Sequence, residues 1–202
     1  DVGTAIPCAA TRSSQPGGRR AGVGRSVEVE EIANAGRIPL SRAKHLFVGC
    51  LRGLGAAHAH NIVHKDLKPT NLLVNSRGEL KISDFGISAS VSDSVTRLSR
   101  IVSSSGSPPY MSPQQMMGGA PSPSDDVYSL GATLFELLTG RPPFYSGNIP
   151  LQVQSLVPPS LADRRRELGA TPGVIPTSWE RTIASCLSKD PGARPDSAGD
   201  VC

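Results

Sequence analysis

The chain has 202 residues, of which 38% are hydrophobic and 4% aromatic, and a net charge of +4. That length suffices for one domain with a real core. The weakly basic balance comes without an arginine- and aromatic-rich stripe, which argues against a nucleic-acid partner. No run of about 18 apolar residues occurs, so no segment is expected to span a membrane.

The four cysteines are Cys8, Cys50, Cys186 and Cys202, with no C-x-x-C pair. Cys50 and Cys186 fall on apolar helical stripes and read as buried small hydrophobes rather than metal ligands or disulfide partners. That usage suits a reducing, cytoplasmic compartment. No charged-then-apolar leader follows Asp1, so no signal peptide is expected.

Residues 1–25 are rich in Gly, Ser, Pro and Arg and read as a flexible basic leader. Gly22-Val23-Gly24-Arg25-Ser26-Val27-Glu28-Val29 matches most of G-x-G-x-x-G-x-V, with Val27 in place of the third glycine. No strand carrying a lysine follows it, and the next lysine is Lys44, inside a helix. The segment is therefore read as a glycine-rich tail. A short helix is expected from Val27 to Ala35, ended by Gly36. A longer one opens near Pro39, with Ser41 as its N-cap. Leu46, Phe47, Cys50, Leu51, Leu54 and Ala57 form its buried face. His58 and His60 close it as helix-end residues.

Next comes His64-Lys65-Asp66-Leu67-Lys68-Pro69-Thr70-Asn71, and Asp84-Phe85-Gly86 follows. Between them Leu72-Leu73-Val74 and Leu80-Lys81-Ile82 read as two short strands about the turn Asn75-Ser76-Arg77-Gly78. Such a hairpin brings Asp66, Asn71 and Asp84 to one end. Phosphoryl transfer needs a cluster of this kind: one carboxylate to orient a hydroxyl nucleophile and two oxygen ligands for magnesium. Residues 87–105 are serine-rich with few large apolar side chains and read as a flexible surface loop. Ser107-Pro108-Pro109-Tyr110-Met111-Ser112-Pro113-Gln114 comes next. A core helix, apolar nearly all round, is expected from about Asp125 to Thr139, capped by Ser124 and stopped by Gly140. Thr177-Ser178-Trp179-Glu180 offers a capping box for a helix whose inner stripe is Trp179, Ile183 and Leu187. Ser197 opens a last helix.

These motifs, in this order, resemble those of the eukaryotic-type protein kinases, in their bacterial Hanks-type serine/threonine form. The resemblance covers about residues 30–202. It rests on H-K-D-L-K-P-T-N, D-F-G, S-P-P-Y-M-S-P-Q, the run Asp126-Val127-Tyr128-Ser129-Leu130-Gly131, and Lys189-Asp190-Pro191 through Arg194-Pro195. It implies an α+β, predominantly helical fold: the large C-terminal lobe with a small catalytic-loop hairpin, the small N-terminal lobe missing. Residues 26–202 would be that domain, incomplete at both ends.

By the same resemblance Asp66 is the base and Lys68 the charge-neutralising partner of the transferring phosphoryl group. Asn71 and Asp84 hold Mg2+, with Mn2+ as an alternative, and contact ATP. Leu73 floors the adenine. Ser107 and Tyr110 belong to the activation and substrate segment. His64, Phe85 and Gly86 support the site by packing. Asp126 accepts hydrogen bonds from the catalytic-loop backbone, and Gln114 pairs with Arg194. The activity implied is ATP-dependent transfer of phosphate to Ser or Thr hydroxyls of proteins, by a cytoplasmic signalling enzyme of which this is a fragment. Three departures stand out. Lys65 replaces an arginine, Gln114 replaces a glutamate, and no ATP-anchoring lysine precedes the catalytic loop. A fragment without that lysine is expected to be weakly active or inactive. The rival reading is a non-catalytic, pseudokinase-like binding module. A nucleic-acid-binding role rests on net charge alone.

Overall fold

A computed structural model describes residues 27–28 (backbone only), 38–85, 107–169 and 175–201. The leader, the serine-rich stretch and Gly86 lie outside these residues. So does most of the segment expected to be helical from Val27 to Ala35. Its described part is not a helix. Val27–Glu28 is a strand, β1, that pairs antiparallel with Val74 and Leu73. Both Val27 and Val29 are β-branched, and pairing to an existing hairpin overrides weak helix propensity.

Helix α1 spans Leu40–His58 and buries Ala43, Leu46, Phe47, Cys50, Leu54 and His58 on one face. Ser41 is not its cap. Pro39 holds that position, with φ −58° and ψ 146°, and its carbonyl accepts the Ala43 N–H at 2.9 Å. The hairpin follows as expected: β2 (Leu72–Val74) and β3 (Leu80–Ile82) pair antiparallel, Leu73 opposite Lys81. Asn75 builds the turn, its Oδ1 accepting the N–H groups of Arg77 and Glu79 at 3.0 and 2.9 Å. With β1 the sheet has three strands in the order β1-β2-β3. Strand β3 lies directly on α1. A Cβ at Gly49 would fall 2.8 Å from Leu80 Cβ, so that position needs glycine for this approach, whereas one at Gly53, 2.9 Å from Ile82 Cδ1, would have only the tip of that side chain to displace.

A short helix, α2 (Pro113–Met116), precedes the core helix α3 (Pro123–Thr139). Fourteen of the 17 residues of α3 are buried, as an all-round apolar helix requires. Its cap is Ser122, not Ser124. Pro123 takes the first helical position, where a missing N–H costs nothing, and Asp125 reaches back to accept the Ser122 N–H at 2.9 Å. Gly140, at φ 92°, ends it.

Helix α4 (Ile149–Ser155) packs against α2 and the Pro108–Tyr110 turn, while α1, α5 (Leu161–Glu167) and α6 (Thr177–Cys186) pack around α3. Trp179, Ile183 and Leu187 are buried, and the Trp179 ring meets Phe47 with centroids 5.6 Å apart. The expected capping box at Thr177 does not form. Pro176 holds the cap position, and Glu180 instead accepts the N–H groups of Leu161 and Ala162, serving the start of α5. Ser197 does open a last turn, a 3-10 segment at Ala198–Asp200. Among the described residues no helix is long and apolar enough to cross a membrane.

Candidate functional site

The 64–71 loop leaves α1 and is fastened from behind by α3. Asp126, fully buried at the start of α3, accepts the His64 N–H at 2.7 Å on Oδ2 and the Lys65 N–H at 2.9 Å on Oδ1. Oδ2 also accepts from His58 Nε2 at 2.9 Å. The other ring nitrogen of His58, Nδ1, accepts the Ala198 N–H at 3.3 Å. That bond assigns the proton to Nε2, so a neutral imidazole satisfies the carboxylate. His58 is thus more than a helix-end residue: it closes the acceptor set of Asp126. His60 does remain at the helix end, 2.9 Å from the Ala56 carbonyl.

Lys65 takes φ 77°, in the left-handed region. The loop is pinned there from both sides, by Asp126 on its N–H and by Gln115 Nε2, which donates to its carbonyl at 2.8 Å. His64 Nδ1 accepts the Asp66 N–H at 3.3 Å, so its Nε2–H donates to Ser83 O, 2.7 Å away. Its ring stands edge-on to Phe85, centroids 4.7 Å apart. Both side chains pack and orient, as expected.

Asp66 and Lys68 form a pair at 2.7 Å, each about a quarter exposed (27% and 25%). Ser107 joins them from the far side of the serine-rich stretch. Its N–H donates to Asp66 Oδ1 at 3.2 Å, and its hydroxyl accepts from Lys68 Nζ at 3.0 Å. A carboxylate and an ammonium therefore share one small, partly open patch, where a hydroxyl could be oriented and negative charge neutralised.

Asn71 follows in a 3-10 turn, Pro69–Asn71. Its Nδ2 donates to the Asp66 carbonyl at 2.8 Å. A carbonyl can only accept, so the amide orientation is determined and Oδ1 faces away from the loop. Across the open end of the hairpin, the Ser83 N–H donates to Asn71 O at 2.9 Å. Asp84 comes next, exposed, at φ 59°. One of its oxygens accepts from Ser83 Oγ at 3.1 Å. The sheet thus carries an amide oxygen and an exposed carboxylate at one end. Those are hard oxygen donors fit for Mg2+, which takes few protein ligands and completes its shell with water and phosphate. No cluster of three His, Cys, Asp or Glu side chains suited to a metal occurs among the described residues. Leu73 is half-buried on β2, beside this end.

Comparison with known proteins decides the family. The sequence model of the protein kinase domain matches residues 24–201. The chain belongs to the protein kinase family. It is 32% identical over 172 residues to the serine/threonine-protein kinase PknB of Mycolicibacterium smegmatis, covering 82% of this chain and 26% of that protein. It is 34% identical over 178 residues to the serine/threonine-protein kinase PrkC of Bacillus subtilis, covering 85% and 26%. It is 38% identical over 162 residues to mitogen-activated protein kinase kinase 3 of Arabidopsis thaliana, covering 79% and 29%. The chain spans between a quarter and a third of the length of these relatives.

Gln114 and Arg194 are hydrogen-bonded to each other. Arg194, 4% exposed, donates from Nη2 to Gln114 Oε1 at 2.6 Å, and Gln114 Nε2 donates to the Lys189 carbonyl at 3.0 Å. A glutamate at 114 would accept from Arg194 with a full charge, but it has no donor and could not make that second bond. Arg194 also donates to Ser188 O and Ser124 O and lies over the Tyr128 ring at 5.1 Å. Tyr110 donates its hydroxyl to Glu136 at 2.5 Å, fixing the 108–110 turn to α3. Sequence reasoning passed over His58, Ser112, Gln115 and Asp125. Ser112 Oγ donates to Asp125 Oδ1 at 2.5 Å, while Gln115 Oε1 accepts the Ser112 N–H. The signal for that box was present, as Ser112-Pro113-Gln114-Gln115 is a cap residue, a proline and a glutamine three residues on.

Proposed function

We propose that this chain is the large lobe of a serine/threonine protein kinase. It would act with ATP and Mg2+, or Mn2+, on Ser or Thr hydroxyls of protein substrates. The observation that carries the reading is the Asp66–Lys68–Ser107 cluster beside the open hairpin end that bears Asn71 and Asp84. Asp66 orients the attacking hydroxyl and receives or directs its proton. Lys68 balances charge on the transferring group. Asn71 Oδ1 and Asp84 would hold the metal, which when bound supplies charge neutralisation between phosphate oxygens. Leu73 offers an apolar surface to the adenine. Ser107 keeps the Asp66–Lys68 pair in register with the segment that follows.

The 202 residues carry no lysine before Lys44, which lies on α1. None of these residues is therefore assigned the role of a kinase's phosphate-anchoring lysine. The chain alone should bind Mg-ATP weakly and transfer phosphate near background. A parent protein with a strand-rich lobe upstream should label a generic Ser/Thr substrate, and Asp66→Asn or Asp84→Asn should reduce labelling by about a thousandfold. Strong labelling that survives Asp84→Asn would overturn the assignment. A folded, activated parent that stays silent would favour the pseudokinase-like reading.

A further inference from the structure

Away from this site, the structure holds a cleft of about 790 Å³ at the turn end of the hairpin, between that turn and the 41–53 stretch of α1. The site residues Asn71 and Asp84 flank the opposite end, because β2 begins at Leu72 and β3 ends at Ile82. Val48, Gly49, Gly53 and Leu80 floor the cleft. Lys44 and Arg52 stand along one rim and Arg77 on the other, all three exposed. No described carboxylate forms an ion pair with any of them. Glu79 is the one acid in the lining, and Asn75 Nδ2 already donates to it at 2.7 Å. His45 is held to the turn, 2.9 Å from the Gly78 carbonyl.

We propose that this cleft docks an extended, acidic segment of a partner protein. Lys44 and Arg52 are eight residues apart on one helix, hence about 12 Å along its axis. In an extended chain, side chains four residues apart are separated by about 13 Å and point the same way. Two acids at that spacing meet both cations, and an apolar residue between them faces Val48 and Leu80. The apolar floor without an aromatic platform selects peptide over single-stranded nucleic acid. The chain's own leader does not complement the cleft, since residues 1–25 carry Arg12, Arg19, Arg20 and Arg25 against Asp1 alone. The 87–106 stretch has Arg97 and Arg100 against Asp93. Docking at the turn end leaves the proposed phosphoryl-transfer site open, and the inference stands whether or not that site is active.

The test is fluorescence anisotropy with the 202-residue chain and a labelled synthetic peptide bearing glutamates at that spacing around a leucine. Saturable binding is expected, weakened at least about tenfold by the double variant K44E/R52E and restored when lysines replace the peptide's glutamates. Arg77→Glu should weaken it less. Circular dichroism checks that these exposed substitutions leave the fold intact. Equal affinity of the wild type and K44E/R52E overturns the proposal. So does equal or tighter binding of an oligothymidylate, which would mark plain anion attraction. A wild type that ignores the peptide but binds it after E30K/E31K would assign the cleft to the chain's own acidic run, and also overturns it.

Discussion

Replacing Asp126 by asparagine tests how the site is held to the core. Asp126 accepts three hydrogen bonds while fully buried, from His64 N, Lys65 N and His58 Nε2. An amide has one oxygen to offer. Placed at Oδ2 it keeps His58 and His64 but turns its NH2 group on the Lys65 N–H. Flipped, it faces two donors with a donor. In the better orientation one charge-assisted bond is lost, at about 1.5–3 kcal/mol, and two others weaken as the acceptor loses its charge. The sum is about 3–5 kcal/mol, comparable to breaking a buried pair and a large part of the roughly 5–15 kcal/mol that holds a domain together. The single tryptophan, Trp179, is buried against Phe47 and reports urea unfolding. Amide exchange at His64 and Lys65 reports the loop itself. A variant within about 0.5 kcal/mol of wild type, with both amides still protected, would refute this account of the anchor.

Other parts of the structure carry further outcomes. Leu134, 1% exposed on α3, should not tolerate Leu134→Asp: a loss of several kcal/mol is expected, read as a collapse of the urea midpoint. Gln115→Glu keeps the bond from Ser112 N but sets a carboxylate against the Lys65 carbonyl, costing about 1–3 kcal/mol and loosening Lys65 in exchange measurements. Burial pushes the Cys50 and Cys186 thiols up from 9.0 to about 12, so both should resist alkylation until the chain unfolds. A folded pKa raised above the unfolded one contributes stability that is complete below the unfolded value and lost as pH rises through the folded one. Wild type should therefore lose stability between pH 9 and 12, and a C50A/C186A variant should decline less steeply over that window. Lys189, drawn down to about 8 by burial and by Arg194, titrates with the opposite sign in both proteins and cancels from the comparison.

The hairpin, the core helix, the packing role of His64 and Phe85, and the grip of Asp126 on the 64–71 loop were all legible. Each rests on local period, turn chemistry or an ordered motif. Helix starts were misread where serine competes with proline. Ser122-Pro123 and Pro176-Thr177 both obey the rule that proline occupies or borders the first helical position, whereas the reading favoured the hydroxyl residue one step inside. Strand β1 is two residues long and has no period to detect. The bond of His58 to Asp126 joins residues 68 apart, and no local spacing announces it. Gln115 was hidden for a different reason: its importance lies in donating to Lys65, a residue whose left-handed φ only the folded backbone reveals.

The glycines at 49 and 53 seat the Leu80 and Ile82 side chains of β3 directly on the backbone of α1. The hairpin is then a short lever resting on a hard bearing. Its arm, strands of three residues, is about 10 Å long. A small tilt at the Asn75–Gly78 end would be carried along this short arm towards the other end, where Asp84 sits. An added methyl group at Gly49 would press on Leu80 and shift the hairpin on α1 without touching a polar atom at the end that bears Asp84.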